Sequence, residues 1–239
     1  MGERGRPAVV LVAGLLCDET VWAAQRAALE RDRAVFVPSL WGLDSIPGMA
    51  RAVLDAAPPR FALAGHSLGA RVALEVVRQA PECVERLALL DTGVHPVRPG
   101  EAEKRQELID LARRDGMAAL AARWLPPMVH PERVSDPALM GPLTAMVRRA
   151  TPDVFERQVR ALLARPDAAA VLPGIRCPTL VACGRQDAWS PLSQHEPIAA
   201  AIPGARLAVI EDSGHMSTVE APEAVAGLSL DWVRMEAEA

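Results

Sequence analysis

A chain of 239 residues, half of them apolar, is long enough to bury one large α/β core and still carry an insertion. Its formal net charge is −4, and its basic residues, nearly all arginine, are scattered, which argues against nucleic acid as the main partner. No apolar stretch reaches the length of a membrane span and no solenoid period repeats, so no membrane and no repeat architecture is expected.

Arg4 and Arg6 precede an apolar run from Pro7 to Cys17 that superficially has the shape of an export leader. Leu15 and Leu16 stand where such a leader carries small residues, and Asp18-Glu19 follow, so the run reads as a buried strand at residues 8–13. The four cysteines, Cys17, Cys83, Cys177 and Cys183, form neither a CxxC pair nor a Cys/His ligand spacing. Buried reduced thiols and a cytoplasmic location are the expectation. Composition predicts disorder only at residues 1–6 and 235–239.

Runs rich in Val, Leu and Ile at residues 8–13, 34–38, 61–64, 87–90, 179–183 and 206–210 predict six strands. Helical segments at 20–31, 47–56, 68–79, 192–201 and about 222–233 alternate with them, the pattern of an α/β fold with a parallel sheet. Ser45 before Pro47 marks one helix start, and Ala80-Pro81 stops the helix that follows Ser67. Residues 96–173 break the rhythm with proline-punctuated helices at 101–115, 116–125, 137–149 and 152–165. Phe155, Val159, Leu162 and Leu163 share one face of the last. Residues 1–95 and 174–239 are therefore expected to form the core. Residues 96–173 should be a helical cap inserted between core strands, roofing the strand ends where ligands bind.

The strongest chemical signal is Gly65-His66-Ser67-Leu68-Gly69, directly after a predicted strand and directly before a predicted helix. This is the context of a nucleophile elbow, whose tight turn exposes a serine and needs small neighbours. A base must reach that serine. His215, in Asp212-Ser213-Gly214-His215-Met216 just past the last strand, has the loop position and chain order; His66, His95, His130 and His195 do not. The acid should follow an earlier strand. Asp187, in Cys183-Gly184-Arg185-Gln186-Asp187, does so, with Asp91 after residues 87–90 as the competitor. The acid orients the imidazole and stabilises the imidazolium. Donors for a developing oxyanion should be the backbone N–H of Leu68, after the nucleophile, and that of Leu15 in the loop after the first strand.

With these residues in place the chain resembles the α/β-hydrolase superfamily over nearly its whole length. Val12-Ala13-Gly14 with Trp22 downstream, Gly65–Gly69, Gly184–Asp187, and Ser213-Gly214-His215 followed by Glu220 and Pro222 align in order. The resemblance implies a mostly parallel sheet flanked by helices, Ser67, Asp187 and His215 as a triad, and no metal or organic cofactor. Ala13-Gly14 replaces the usual His-Gly of the oxyanion loop, and the usual first two strands are missing, so about six strands are expected. A serine nucleophile sets aside the dehalogenase and epoxide-hydrolase branches, which attack with aspartate. The expected reaction is hydrolysis of a small carboxylic ester or thioester. Carbon–carbon bond hydrolases and cofactor-free haloperoxidases share these features.

Ser-Leu-Gly-x-Arg-Val-Ala, with Arg71 one helical turn after Ser67, resembles a menaquinone-pathway lyase of this fold. There the matching arginine helps bind a substrate carboxylate, and the triad abstracts a proton. The competing reading of Arg71 is a helix residue paired with an acidic neighbour. Residues 96–173 carry twelve basic and ten acidic residues, a mildly positive balance that agrees with an anionic substrate. His66, Trp124 and Trp189, with Trp41, are further candidates for the pocket wall, aromatic core packing being the alternative for each tryptophan. A third reading, from a different class, is a non-catalytic receptor or interaction protein that retains the triad.

Overall fold

The computed structural model describes residues 6–236, and the disorder expected at the ends falls largely on residues 1–5 and 237–239, outside that range. In chain order the regular elements begin with β1 (Ala8–Val12), α1 (Ala23–Leu29), β2 (Val35–Phe36), α2 (Ile46–Ala56) and β3 (Phe61–His66). They continue with α3 (Leu68–Gln79), β4 (Val84–Leu90), α4 (Glu101–Trp124), α5 (Pro137–Arg149) and α6 (Pro152–Leu163). The chain closes with β5 (Thr179–Gly184), α7 (Leu192–Ala201), β6 (Arg206–Ile210), α8 (Ser217–Glu220) and α9 (Pro222–Trp232). The strands form one six-stranded sheet in the order β2-β1-β3-β4-β5-β6, with every pairing parallel.

Local chemistry sets most boundaries. The Ser45 hydroxyl accepts the Gly48 N–H at the start of α2, Asp136 caps α5, and Thr151 caps α6. β2 is shorter than residues 34–38 because it is an edge strand: Phe36 stays 40% exposed, and Pro38 has no N–H for the ladder. The first helix divides. Asp18 accepts the Thr20 N–H and starts a 3₁₀ turn at Glu19–Trp22, which runs into α1. α4 is assigned across the two segments expected at 101–115 and 116–125, but Gly116 at φ 84°, ψ 173° breaks the helix at their junction.

Right-handed crossovers decide which face each helix covers. The chain moves from β1 to β2 in one direction, then from β2 to β3, β3 to β4 and β5 to β6 in the other. The connection through α1 thus lies on the face opposite α2, α3 and α7. Observed packing agrees: α2 lies on α3, while α1 lies on α9. The central strands β3 and β5 are buried throughout, as a sheet covered on both faces requires. Beyond β1 and β3 the chain departs in opposite directions, which opens a crevice at their carboxyl ends. Helices α4, α5 and α6 lie in the chain between β4 and β5, with α4 against both α5 and α6.

Candidate active site

Ser67 is the single residue between β3 and α3, at φ 55° and ψ −115°. An L-residue held in such a conformation costs about 1–3 kcal/mol and persists only where its surroundings enforce it. Here Ser67 N–H donates to Leu90 O at 2.9 Å, and the Thr92 hydroxyl donates to Ser67 O at 3.1 Å. The flanking glycines let the chain pass close to itself. A Cβ on Gly65 would collide with the Gly69 carbonyl and the Ala70 backbone, and one on Gly69 with the carbonyls of Val12 and Ala13.

The loops after β5 and β6 bring the other two residues to this turn. His215 Nε2 lies 2.9 Å from Ser67 Oγ, and His215 Nδ1 lies 2.8 Å from Asp187 Oδ2. Asp187 Oδ1 accepts the N–H groups of Trp189 and Ser190, both at 2.8 Å. Burial pushes the Asp187 carboxyl up, but the His215 charge and these hydrogen bonds together hold it below its ordinary value. His215 shows the complement: burial opposes its charge, yet the charge and hydrogen bond of Asp187 leave the imidazole above its ordinary pKa.

Asp91, the competing acid, does not reach His215. Its Oδ1 accepts Gly184 N–H at 2.9 Å and its Oδ2 the Ser217 hydroxyl, while His66 Nε2 stands 3.6 Å away. Burial, with the Asp187 charge beside it, raises this carboxyl well above the usual range. Asp91 thereby ties the loop carrying Asp187 to the one carrying His215. A second carboxylate holds the histidine loop from outside. Glu220 accepts Gly214 N–H at 2.9 Å and His130 N–H at 2.6 Å, and His215 N–H donates to Met128 O at 2.7 Å. The sequence pattern marked Glu220 by position alone. Its anchoring role, like that of Thr92, depends on contacts made across the fold.

Ser67 and His215 open on a cavity of about 570 Å³. Leu15 and Leu68 line it, and among the described residues neither backbone N–H donates a hydrogen bond to the protein. His66 lines it as well, with Nε2 2.8 Å from His215 O; burial pushes its pKa down to about 4, so it stays neutral. Trp124 is a buried wall and Trp189 a half-open one, its ring 6.3 Å from that of His215. Trp41 is not part of the wall; its Nε1 donates to Cys17 O at 3.4 Å. His195 is buried away from the cavity and accepts Thr92 N–H, a structural role.

The far wall is cationic. Arg71, Arg98, Lys104, Arg105 and Arg165 line it around a single carboxylate, Glu101. Arg165 holds both Glu101 oxygens at 2.7 Å, and Arg105 holds one at 2.9 Å. Arg71 has no acidic partner among the described residues; its one protein acceptor is His95 O at 3.2 Å. Burial, then the nearby Arg165 charge, pushes Arg71 down to about 9. The four cysteines are free thiols, Cys17 and Cys183 buried and the other two half-buried. Among the described residues no helix is long and apolar enough to cross a membrane.

Residues 9–228 match the model of the alpha/beta hydrolase family. The chain belongs to that family. It is 30% identical over 248 residues to the pimeloyl-[acyl-carrier protein] methyl ester esterase of Aromatoleum aromaticum, covering 96% of this chain and 99% of that one. A candidate carbamate hydrolase, RutD of Klebsiella pneumoniae, is 29% identical over 238 residues, covering 90% and 86% of the two chains. Among solved structures, a thermophilic esterase from Thermogutta terrifontis with malate bound superposes with a TM-score of 0.87 at 28% identity, covering 96% and 90%. With such relatives the protein is a hydrolase of this fold.

Proposed function

We propose that the protein is a serine hydrolase that cleaves a small carboxylic ester or thioester through an acyl-enzyme. The observation that carries this reading is the continuous hydrogen-bonded line from Ser67 through His215 to Asp187, beside two unengaged amides. Ser67 Oγ attacks the acyl carbon as His215 Nε2 takes its proton, and the Asp187 carboxylate stabilises the resulting imidazolium. The Leu15 and Leu68 N–H groups receive the oxyanion. Collapse expels the alcohol or thiol, which leaves with the proton from His215. Water, deprotonated by the same nitrogen, then attacks the acyl-enzyme, and the acid departs as Ser67 recovers its proton.

Helices α4–α6 are read as a cap, since Leu108, Trp124 and Leu162 close the cavity from that side. The unpaired Arg71 supports a substrate that carries a carboxylate near the scissile group. Malate in the similar Thermogutta esterase agrees with this. His66, Trp124 and Trp189 form the remaining contacts to the acyl or alcohol part.

Covalent labelling with a fluorophosphonate and turnover of p-nitrophenyl acetate and butyrate test the reaction. Ser67→Ala should abolish labelling and lower turnover by roughly 10⁶, as for other triads acting as a unit. Label on another serine would overturn the assignment. A protein that takes the label but hydrolyses no ester would fit the second reading, a triad that abstracts a proton from an anionic substrate. The same cationic wall favours that reading.

A further inference from the structure

The Leu15 amide belongs to a four-residue turn, Gly14 to Cys17, closed by Cys17 N–H donating to Gly14 O at 3.1 Å. Its third residue, Leu16, sits at φ 59° while Leu15 does not, the pattern of a type II turn. Such turns ordinarily place glycine at that position, because a side chain there is strained. Leu16 cannot be exchanged lightly, since its side chain is fully buried in the core. The turn is therefore held in a strained form by something outside it.

That support comes from α6, 142 positions along the chain. Gln158 Oε1 accepts the Leu16 N–H at 2.8 Å, and Gln158 is fully buried. The other end of the amide, Nε2, has no hydrogen-bond partner among the described residues. A buried donor left unpaired is a cost that methionine or leucine in the same space would avoid. The glutamine is thus present for its oxygen, and that oxygen meets one group, the amide next to Leu15.

We propose that Gln158 is a positioning residue that sets the oxyanion hole from the helical insert, an inference that rests on the acyl-transfer reading above. Leu15 and Leu16 supply successive amides of one short turn. Fixing the second fixes where the first points relative to Ser67. Released, the strained Leu16 backbone relaxes and carries the Leu15 donor with it. Oxyanion donors act over a narrow window of about 2.7–3.1 Å, and a shift of about 1 Å can cost as much as ~10²-fold in rate. The arrangement also makes the hole dependent on the seating of α6, which supplies Leu162 to the same cavity.

The test compares Gln158→Met, which fills the space without an acceptor, with Gln158→Glu, whose oxygen accepts the same N–H and which burial keeps protonated. Against p-nitrophenyl butyrate, Gln158→Met should lose kcat and kcat/KM together by about 10- to 100-fold with KM nearly unchanged, the signature of an interaction made in the transition state. The rate of fluorophosphonate labelling and the affinity for a trifluoromethyl ketone, both of which place a charged oxygen in the hole, should fall by similar factors. Gln158→Glu, assayed beside the wild type at the same pH, should stay close to it by all three measures. Wild-type rates in Gln158→Met, a loss confined to KM, or a Gln158→Glu variant as impaired as Gln158→Met would overturn the proposal. If Gln158→Met does not fold, Gln158→Asn, one methylene too short, takes its place in the comparison. A wild type that labels but hydrolyses no ester removes the hydrolase reading and leaves the labelling rate to decide on Gln158. A wild type that does neither overturns both.

Discussion

Two buried carboxyls, Asp187 and Asp91, stand at the carboxyl ends of neighbouring strands, and the charges beside them give them opposite character. Asp187 accepts two backbone N–H groups and faces the His215 ring, which holds it ionised. Asp91 is desolvated beside that negative charge and is held toward its neutral form. Asp187→Asn should lower kcat by roughly 10⁴, because the amide favours the wrong histidine tautomer. Asp91→Asn, which can still accept Gly184 N–H and can donate to Ser217, should do much less. Reversed effects would move the role to Asp91. The pH profile checks the same assignment. In the proposed reaction His215 must be neutral, and its pKa lies above the ordinary 6.5. The acid limb of kcat/KM should therefore fall above pH 6.5 in the wild type and move down in Asp187→Asn, where the charge that raises it is gone. In stability the sign is that of a raised base: the His215 contribution is full below pH 6.5 and fades as pH climbs through the folded-state pKa.

At the scale of elements, the cationic wall is a joint product of α3, α4 and the segments just before α4 and just after α6. Arg71 comes from the first turn of α3, Lys104 and Arg105 from the first turns of α4, and Arg165 from just beyond α6. Glu101 is held down to about 2: burial opposes its charge, but Arg165 and Arg105 more than offset that. It therefore neutralises part of the cluster and leaves Arg71 without an ion-pair partner among the described residues, which the proposed reading assigns to a substrate carboxylate. A charge-assisted hydrogen bond of this kind contributes about 1.5–3 kcal/mol. Arg71→Met should cost roughly 10- to 100-fold in kcat/KM for an ester bearing a carboxylate and little for a neutral ester of equal size. Equal losses on both, with a lower melting temperature, would make Arg71 a scaffold residue. The insert also reaches the histidine loop, through Met128 O and the His130–Glu220–Gly214 bridge. It thus touches the surroundings of both His215 and the turn from Gly14 to Cys17.

Across the whole molecule, the sheet keeps these loops in register. β4 and β5 pair directly, Leu87 to Leu90 against Thr179 to Ala182, although the entire helical insert lies between them in the chain. The carboxyl ends of β1, β3, β4, β5 and β6 thereby become one rim, and Ser67, Asp187 and His215 all stand on it. Leu63, fully buried in β3, sits beneath the elbow. Leu63→Ala should destabilise the fold by about 2–5 kcal/mol, a drop in melting temperature of roughly 4–20 °C for a chain of this size. Thermal unfolding of this variant beside Ser67→Ala separates the two demands, because Ser67→Ala removes the proposed nucleophile and no packing. A melting temperature lowered equally in both would contradict that separation.

What the sequence determined by itself was the periodic and local part. Residues 68–79, 137–149, 192–201 and 206–210 form the expected elements at the expected bounds, because apolar spacing, caps and prolines act within a few residues. The motif around Ser67 was legible for the same reason, since the elbow needs its glycines beside it in the chain. Tertiary structure decided everything that depends on two distant segments meeting. It separated Asp187 from Asp91 by the reach of one hydrogen bond, and it left Arg71 without an ion-pair partner among the described residues, since Glu75, one turn on, is held by Arg78 and Gln79. It also brought Gln158 to Leu16. No local pattern marks a glutamine for that contact, because the strain it supports is stored in the backbone of a turn 142 residues away.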